Sequence, residues 1–163
     1  MMNRQSEEMS PEEIEQLVIA ELEYMLYRQY RRQVLNIMTE DEFNNFVEER
    51  IDGLLYMQIF MHREATNEEI NRLGEELLSI EGINHGRLIT SEEAFEIMRE
   101  RLGARQHLMT GLEATMFPPS YVVRIEKLFV FRDVYHKVNE LENIDYITSQ
   151  YNLIQEAFSN INR

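Results

Sequence analysis

The amino-acid sequence predicts an all-α protein, an irregular bundle of five to six helices with an elongated N-terminal helix pair. Three observations predict this class. The 30 acidic residues comprise 26 Glu and 4 Asp, and Glu is well tolerated inside helices whereas Asp prefers caps and turns. Four Ser/Thr-x-x-Glu motifs mark helix starts. Apolar residues after each motif recur at steps of three and four positions, as a helix with one buried face requires.

Each helix-start motif is a capping box, in which the hydroxyl and carboxylate side chains satisfy free backbone N–H groups at the helix N-terminus. The boxes are Ser10 with Glu13, Thr39 with Glu42, Thr66 with Glu69, and Thr90 with Glu93. Pro11 also occupies the first helical position, where the N–H that proline lacks would be unpaired in any case. The motifs therefore predict four helix starts in chain order.

The remaining helix boundaries come from periodicity and from helix breakers. The predicted helices span residues 11–38, 40–62, 67–80, 91–116, 121–141 and 144–161. Gly82 is a plausible stop for the third helix, and residues 81–89 are a predicted loop. The fourth helix either bends at its glycines or continues to Pro118 and Pro119, which neither extend a helix nor favour one before them.

A sheet is not expected from this sequence. The stretch 128–131 favours β-structure, but we find no convincing alternating strand pattern and no hairpin dipeptide. Asn143 is the predicted cap of the last helix. We therefore expect a single helical domain over residues 10–163, preceded by a flexible N-terminus at 1–9.

Charge and hydropathy limit the partners. The formal net charge is −14, which opposes direct binding to the phosphate backbone of a nucleic acid. No apolar run approaches the ~20 residues of a membrane span, and the acidic start is not a secretory leader. These observations predict a cytoplasmic protein that contacts neither nucleic acid nor membrane.

Catalytic and metal-binding motifs are missing from the sequence. There is no Cys, no glycine-rich phosphate loop and no nucleophile or zinc-protease motif. Asp133, His136 and Glu140 share a predicted helix face but supply only half of a di-iron-type site. The sequence therefore predicts a protein that is not an enzyme and carries no cofactor, with a metal-binding bundle as an alternative.

Two sets of residues are candidates for binding a partner. Tyr24, Tyr27, Arg28 and Arg31 fall on one broad helix face, where they could stack on a ligand, grip an acidic peptide, or simply pair with neighbouring helices. The second set consists of apolar side chains in runs too broad for one helix stripe: Met57, Phe60, Met61 and Phe131. Such runs are either centrally buried or form a homodimer or partner interface.

Residues 46–108 resemble the helical N-terminal chaperone region of the SurA and PrsA parvulin-type proteins. The resemblance rests on Ile51, Asp52, Leu54, Leu55 and Gln58, then on Thr66, Glu68, Glu69 and Ile70, then on Ser91, Glu92, Phe95, Arg99, Leu102 and Gln106. It implies an apolar helical crevice that binds proteins or peptides, without the parvulin domain and its isomerase activity.

Taken together, these features predict a non-enzymatic, chaperone-like helical module. It would bind a protein or peptide through an adaptable surface that carries Met and Tyr side chains. The alternative is an acidic inhibitor or accessory protein, of the kind that viruses and phages encode, that engages a basic nucleic-acid-binding surface of its partner.

Overall fold

The computed structural model describes residues 9–34 and 37–162, and over these residues the protein is mixed α/β rather than all-α. The helices are α1 (Pro11–Val34), α2 (Glu40–Gly53), α3 (Asn67–Ser79), α4 (Ser91–Leu102), α5 (Leu128–Asn139) and α6 (Tyr151–Ile161). The strands are β1 (Tyr56–Phe60), β2 (Ile83–Ile89), β3 (Ser120–Ile125) and β4 (Tyr146–Thr148). Two short 3₁₀ segments, Gly103–Met109 and Ala114–Met116, follow α4. Of the predicted flexible segment 1–9, residues 1–8 lie outside the described residues.

The four strands form one sheet in the order β2-β3-β1-β4, with every neighbouring pair antiparallel. Helix α3 connects β1 to β2 and helix α5 connects β3 to β4, and in each case one other strand lies between the connected pair. Two interleaved split β-α-β units of this kind define the ferredoxin-like arrangement.

The hydrophobic core lies between one face of the sheet and the helices. On the sheet, Met57 and Ile59 of β1 alternate with side chains on the opposite face and are almost completely buried, as are Val123 and Ile125 of β3. Helices α1, α3, α5 and α6 each contribute fully buried side chains, among them Val18, Leu22, Leu73, Leu77, Phe131, Val134, Val138 and Ile154. Helices therefore cover one face of the sheet.

Three predicted helices are wrong at the places where the strands lie. The second ends at Gly53 instead of 62, and the residues after it form β1. The fifth divides into β3 and α5, and the first residues of the sixth contain β4. The predicted loop 81–89 contains β2. In β1, buried and accessible side chains alternate with a period of two. Pairing with a neighbouring strand on each edge outweighs the helical pattern of the residues that precede β1.

The four helix starts that the Ser/Thr-x-x-Glu motifs predict are confirmed. The backbone N–H groups of Glu42, Glu69 and Glu93 each donate to the hydroxyl of the Thr three residues earlier, at 3.1–3.2 Å, and the N–H of Glu13 donates likewise to Ser10. The reciprocal bond that completes a capping box forms at Thr66, whose N–H donates to the Glu69 carboxylate at 3.1 Å. Asn143 is not a helix cap, because α6 begins at Tyr151.

Helices α1 and α2 form a hairpin with a small core of its own. Leu26 of α1 is buried with Phe43 and Val47 of α2, separately from the main core. Two edge-to-face aromatic pairs join the helices, Tyr27 with Phe43 and Tyr30 with Phe46, at centroid distances of 5.5 and 5.3 Å. An N-terminal helix pair is thus present, but α2, at 14 residues, is far shorter than the elongated helix that was predicted.

Candidate protein-binding lobe

A helical lobe of 30 residues, 90–119, connects the neighbouring antiparallel strands β2 and β3. A β-hairpin needs only two to five residues for this connection, so the lobe is an insertion rather than a turn. It comprises α4, the two 3₁₀ segments and the Pro118-Pro119 dipeptide. Hereafter we call residues 90–119 the lobe.

The lobe has almost no interior. Helix α4 contains no buried residue, and Met109 and Pro119 are the buried residues of the lobe. Phe95 and Phe117 meet edge to face, with ring centroids 5.6 Å apart, and both remain half-exposed. The lobe is therefore held together by side chains that still contact solvent.

Large apolar side chains project from the lobe into solvent. Leu108 is 59% exposed and Met116 is 44% exposed, and Met98 and Leu112 are also exposed. Exposed apolar side chains clustered around a sparse interior mark surfaces that other molecules cover. Two of the four are methionines, whose flexible thioethers adapt to irregular partners.

Two ion pairs involve charged side chains of the lobe. Arg87 on β2 donates to the Glu93 carboxylate at 2.8 Å, which joins the first turn of α4 to the sheet. Arg99 pairs with Glu96 on the same helix. The apolar surface is thus flanked by charged groups that orient it without covering it.

The apolar residues that the sequence suggested for binding lie elsewhere. Met57, Met61 and Phe131 belong to the main core and are at most 1% exposed, so in this fold they hold the sheet against its helices and no partner reaches them. Phe60 lies half-buried on the other face of the sheet, where its ring stacks on Tyr146 at 4.5 Å. The apolar run that contains Met57 and Phe60 looked too broad for the buried stripe of one helix because it forms strand β1.

The Tyr–Arg set does come together on the outer surface of α1. The guanidinium of Arg28 lies over the Tyr24 ring and that of Arg31 over the Tyr27 ring, both at 5.8 Å from the ring centroid. Tyr27 is also packed against Phe43 of α2. Each arginine therefore has an intramolecular partner, while Tyr24 remains 56% exposed.

The described residues contain no group of three or more His, Asp or Glu side chains placed to hold a metal ion. His136 does not complete a site with Asp133 and Glu140; its Nε2 lies 3.3 Å from the hydroxyl oxygen of Tyr151.

Tyr121 has a structural role. Burial raises the pKa of its hydroxyl, which donates a hydrogen bond to the Ile70 carbonyl oxygen at 2.8 Å.

The body of the protein is ferredoxin-like, and the lobe is an insertion between two of its strands. Residues 55–161 match the family model described as the FtsX extracellular domain. The chain belongs to this family, whose members are protein-interaction domains of cell division. No curated protein matches the sequence.

One solved structure supports the fold. The crystal structure of extracellular domain 1 of FtsX from S. pneumoniae, in complex with undecyl-maltoside, aligns with a TM-score of 0.50 and 12% identity. The alignment covers 59% of this chain and 94% of that one. The solution structure of the large extracellular loop of FtsX in Streptococcus pneumoniae aligns at a TM-score of 0.44 and 11% identity, and covers 58% of this chain and 97% of that one.

The family assignment corrects two expectations and fails to support two others. The resemblance to the SurA and PrsA chaperone region is wrong, because the stretch that carried it contains β1 and β2 and matches an FtsX domain. The cytoplasmic location is also wrong, because the family is an extracellular one. The chaperone-like and phage-inhibitor functions find no support. No described helix is both long and apolar enough for a membrane span.

Proposed function

We propose that this chain is a non-catalytic extracellular interaction domain that binds a protein partner through the lobe. The observation that carries the proposal is the mismatch between the exposed apolar side chains of the lobe and its interior, in which Met109 and Pro119 are the buried residues. A partner that covers Leu108, Leu112 and Met116 would supply the packing that the lobe lacks. The remainder of the domain serves as a rigid base.

The comparison adds chemical support to the proposal. The pneumococcal domain forms a complex with undecyl-maltoside, a molecule with an eleven-carbon alkyl chain. We propose that the lobe of this chain also accepts an apolar ligand, and that its natural ligand is the apolar patch of a protein. Because the methionine side chains on the lobe are flexible, the contact would tolerate partners of imperfect shape.

Photo-crosslinking tests the proposal in the native cell envelope. A photoreactive phenylalanine analogue is placed at Leu108 in one variant and at Met116 in another, with a third at the exposed Leu78 of α3 as the control. We expect one protein adduct at both lobe positions and not at position 78. The same adduct at all three positions, or none in the lobe, would contradict the proposal.

A charge substitution provides an independent test of affinity for the captured partner. Leu108→Glu places a carboxylate at the most exposed large apolar position of the lobe, so the domain should remain folded while the partner loses on the order of tenfold or more in affinity, as buried interface positions do. Far-UV circular dichroism checks the fold and calorimetry measures the affinity. If a folded Leu108→Glu variant bound the partner with unchanged affinity, the contact would lie away from Leu108.

The outer surface of α1 is a second proposed contact. It is favoured by the two stacked Tyr–Arg pairs, which present an exposed aromatic surface on a helix that lies outside the family match. Double replacement of Tyr24 and Arg28 by alanine should weaken the binding of a partner that uses this face and leave binding through the lobe unchanged.

The predicted homodimer also remains a proposal. Light scattering tests it, since a monomer has a mass of 19.6 kDa.

A further inference from the structure

The second face of the sheet lies opposite the main core; helix α4 meets it at β2, where Arg87 pairs with Glu93, and Ile89 and Ser120 are buried on it. Its side chains come from alternate positions of all four strands and point away from the main core; none of them belongs to that core. Tyr56 and Tyr146 are 39% and 47% exposed on this face. Hereafter we call it the open face.

A depression of about 300 Å³ lies on the open face, beside the point where β4 ends. Its lining includes the side chains of Tyr56, Gln58, Val122, Thr148, Ser149 and Gln150. None of its lining residues is Asp, Glu, Lys, Arg or His, although such acidic and basic residues are common elsewhere in a chain with 28% charged residues. The depression is therefore suited to a neutral ligand.

The arginines of the open face strengthen this conclusion because both are already paired. Arg124, opposite Tyr56, donates to the Asp52 carboxylate at 3.1 Å. Arg87 donates to Glu93 at 2.8 Å. A phosphate or an acidic polymer would have to compete with these carboxylates, and it would approach a protein of net charge −14.

We propose that the open face binds a neutral oligosaccharide, with the depression as its main subsite. The C–H groups on one side of a pyranose ring pack against an aromatic ring, and Tyr56 offers such a ring at the rim of the depression. The hydroxyl of Thr148 and the amide of Gln150 are donors and acceptors suited to sugar hydroxyls. Gln58 donates from its amide nitrogen to Ser120 at 3.0 Å, which holds its amide oxygen as an acceptor beside them. Gln150 makes no capping bond to α6, although it occupies the N-cap position.

A second aromatic position lies along the same strand. Phe60 is four residues from Tyr56 on β1, at a distance of about 13 Å, and it is stacked with Tyr146 at 4.5 Å with the ring planes 10° apart. The stack fixes the Tyr146 ring, so it is ordered before a ligand arrives. Two aromatic positions on one face fit a chain of several sugars better than a single sugar. An extracellular domain is exposed to such chains, and the inference does not depend on the lobe.

NMR titration of the full chain with neutral tetrasaccharides tests the proposal. The probes are chitotetraose and maltotetraose at millimolar concentrations. We expect at least one of them to shift backbone amide resonances at 56–58, 122 and 148–150. Tyr56→Ala should weaken binding about tenfold by removing one aromatic contact, whereas Tyr56→Phe, which keeps the ring, should bind within a factor of about two of the wild type. Leu17→Ala, which removes an exposed apolar side chain on α1, is the matched control and should have no effect.

Other outcomes would overturn the proposal. Failure of both sugars to shift these resonances would do so, as would shifts confined to the lobe or a Tyr56→Ala variant that binds normally. If undecyl-maltoside shifts the open face and neither sugar does, the face takes an alkyl chain. If an oligogalacturonate binds more tightly than either neutral sugar, the ligand is anionic. Photo-adducts at Leu108 and Met116 report separately on the lobe, so neither result decides the other.

Discussion

Gly82 adopts a backbone conformation, φ = 104°, that side chains rarely tolerate, in the turn between α3 and β2. A Cβ atom there would also lie 2.7 Å from Val134 Cγ2 of α5. Gly82→Ala should therefore lower the free energy of unfolding by about 2 kcal/mol or more, since strain and overpacking add. Urea denaturation measures the change. Gly53→Ala is the control: no atom lies within 4 Å of its added Cβ, so a comparable loss there would contradict this account.

Glu69 makes the stability of α3 depend on pH. Hydrogen bonds from the Thr66 backbone N–H and hydroxyl lower the pKa of this carboxyl below its ordinary value of 4.5. Because the folded state prefers the ionised form, the contribution is present above the unfolded pKa and disappears as the pH falls through the folded value. Melting temperatures from pH 6 down to 3 should therefore fall less steeply for Glu69→Gln than for the wild type. Glu75→Gln, on an exposed position of α3, should follow the wild type.

Glu15 links two elements that are distant in the sequence. Its carboxylate accepts hydrogen bonds from the backbone N–H groups of Leu128 and Phe129 at 2.7 and 2.9 Å, and so caps α5, whose own N-cap residue, Lys127, makes no side-chain capping bond. Glu15→Ala should cost about 1–2 kcal/mol of unfolding free energy, as the loss of a helix cap does. Chemical denaturation measures the cost. The exposed Glu12→Ala is the comparison, and an equal loss in both variants would argue against capping.

Helices were predictable from this sequence because their information is local. The boxes at Thr39, Thr66 and Thr90 depend on residues three positions apart, and each forms the predicted cap. The strands depend on distant partners. No two strands are joined by a tight turn: α3, the lobe and α5 each separate one strand from the next. The dipeptides that reveal hairpins are therefore missing, and β1, which directly follows α2, resembles its continuation.

The candidate sites were harder to predict than the helices. Exposure of Leu108 and Met116 depends on how little the lobe buries, and that is a property of the assembled chain rather than of local sequence. Met57 and Phe131 are large apolar side chains of the kind found at interfaces, but they lie in the core. The one useful local indication was the pair Gly103 and Gly111, both with positive φ, which break the predicted fourth helix into short segments.

At the scale of the whole molecule, α1 and the lobe should differ in what they contribute. Val18 and Leu22 of α1 are fully buried in the main core, whereas the lobe buries little. Replacing residues 90–119 with an Asn-Gly turn should leave a cooperatively folded domain, because Ile89 and Ser120 are already opposite each other in the sheet. Removing residues 1–53 should expose the core and abolish cooperative unfolding. Circular dichroism melts distinguish the two. A lobe-deleted chain that does not fold would contradict the separation of base and lobe.

The insertion of the lobe between two adjacent strands also has a kinetic consequence. Before β2 can pair with β3, the chain must close a loop of 30 residues, and a two-residue turn would shorten that loop by about four doublings, each costing about 0.6 kcal/mol of closure entropy. Because β2 and β3 cannot pair until this loop closes, the closure slows folding. The lobe-deleted chain should therefore refold faster than the natural one in stopped-flow experiments, which would make slow assembly of the sheet a cost of carrying the lobe between β2 and β3.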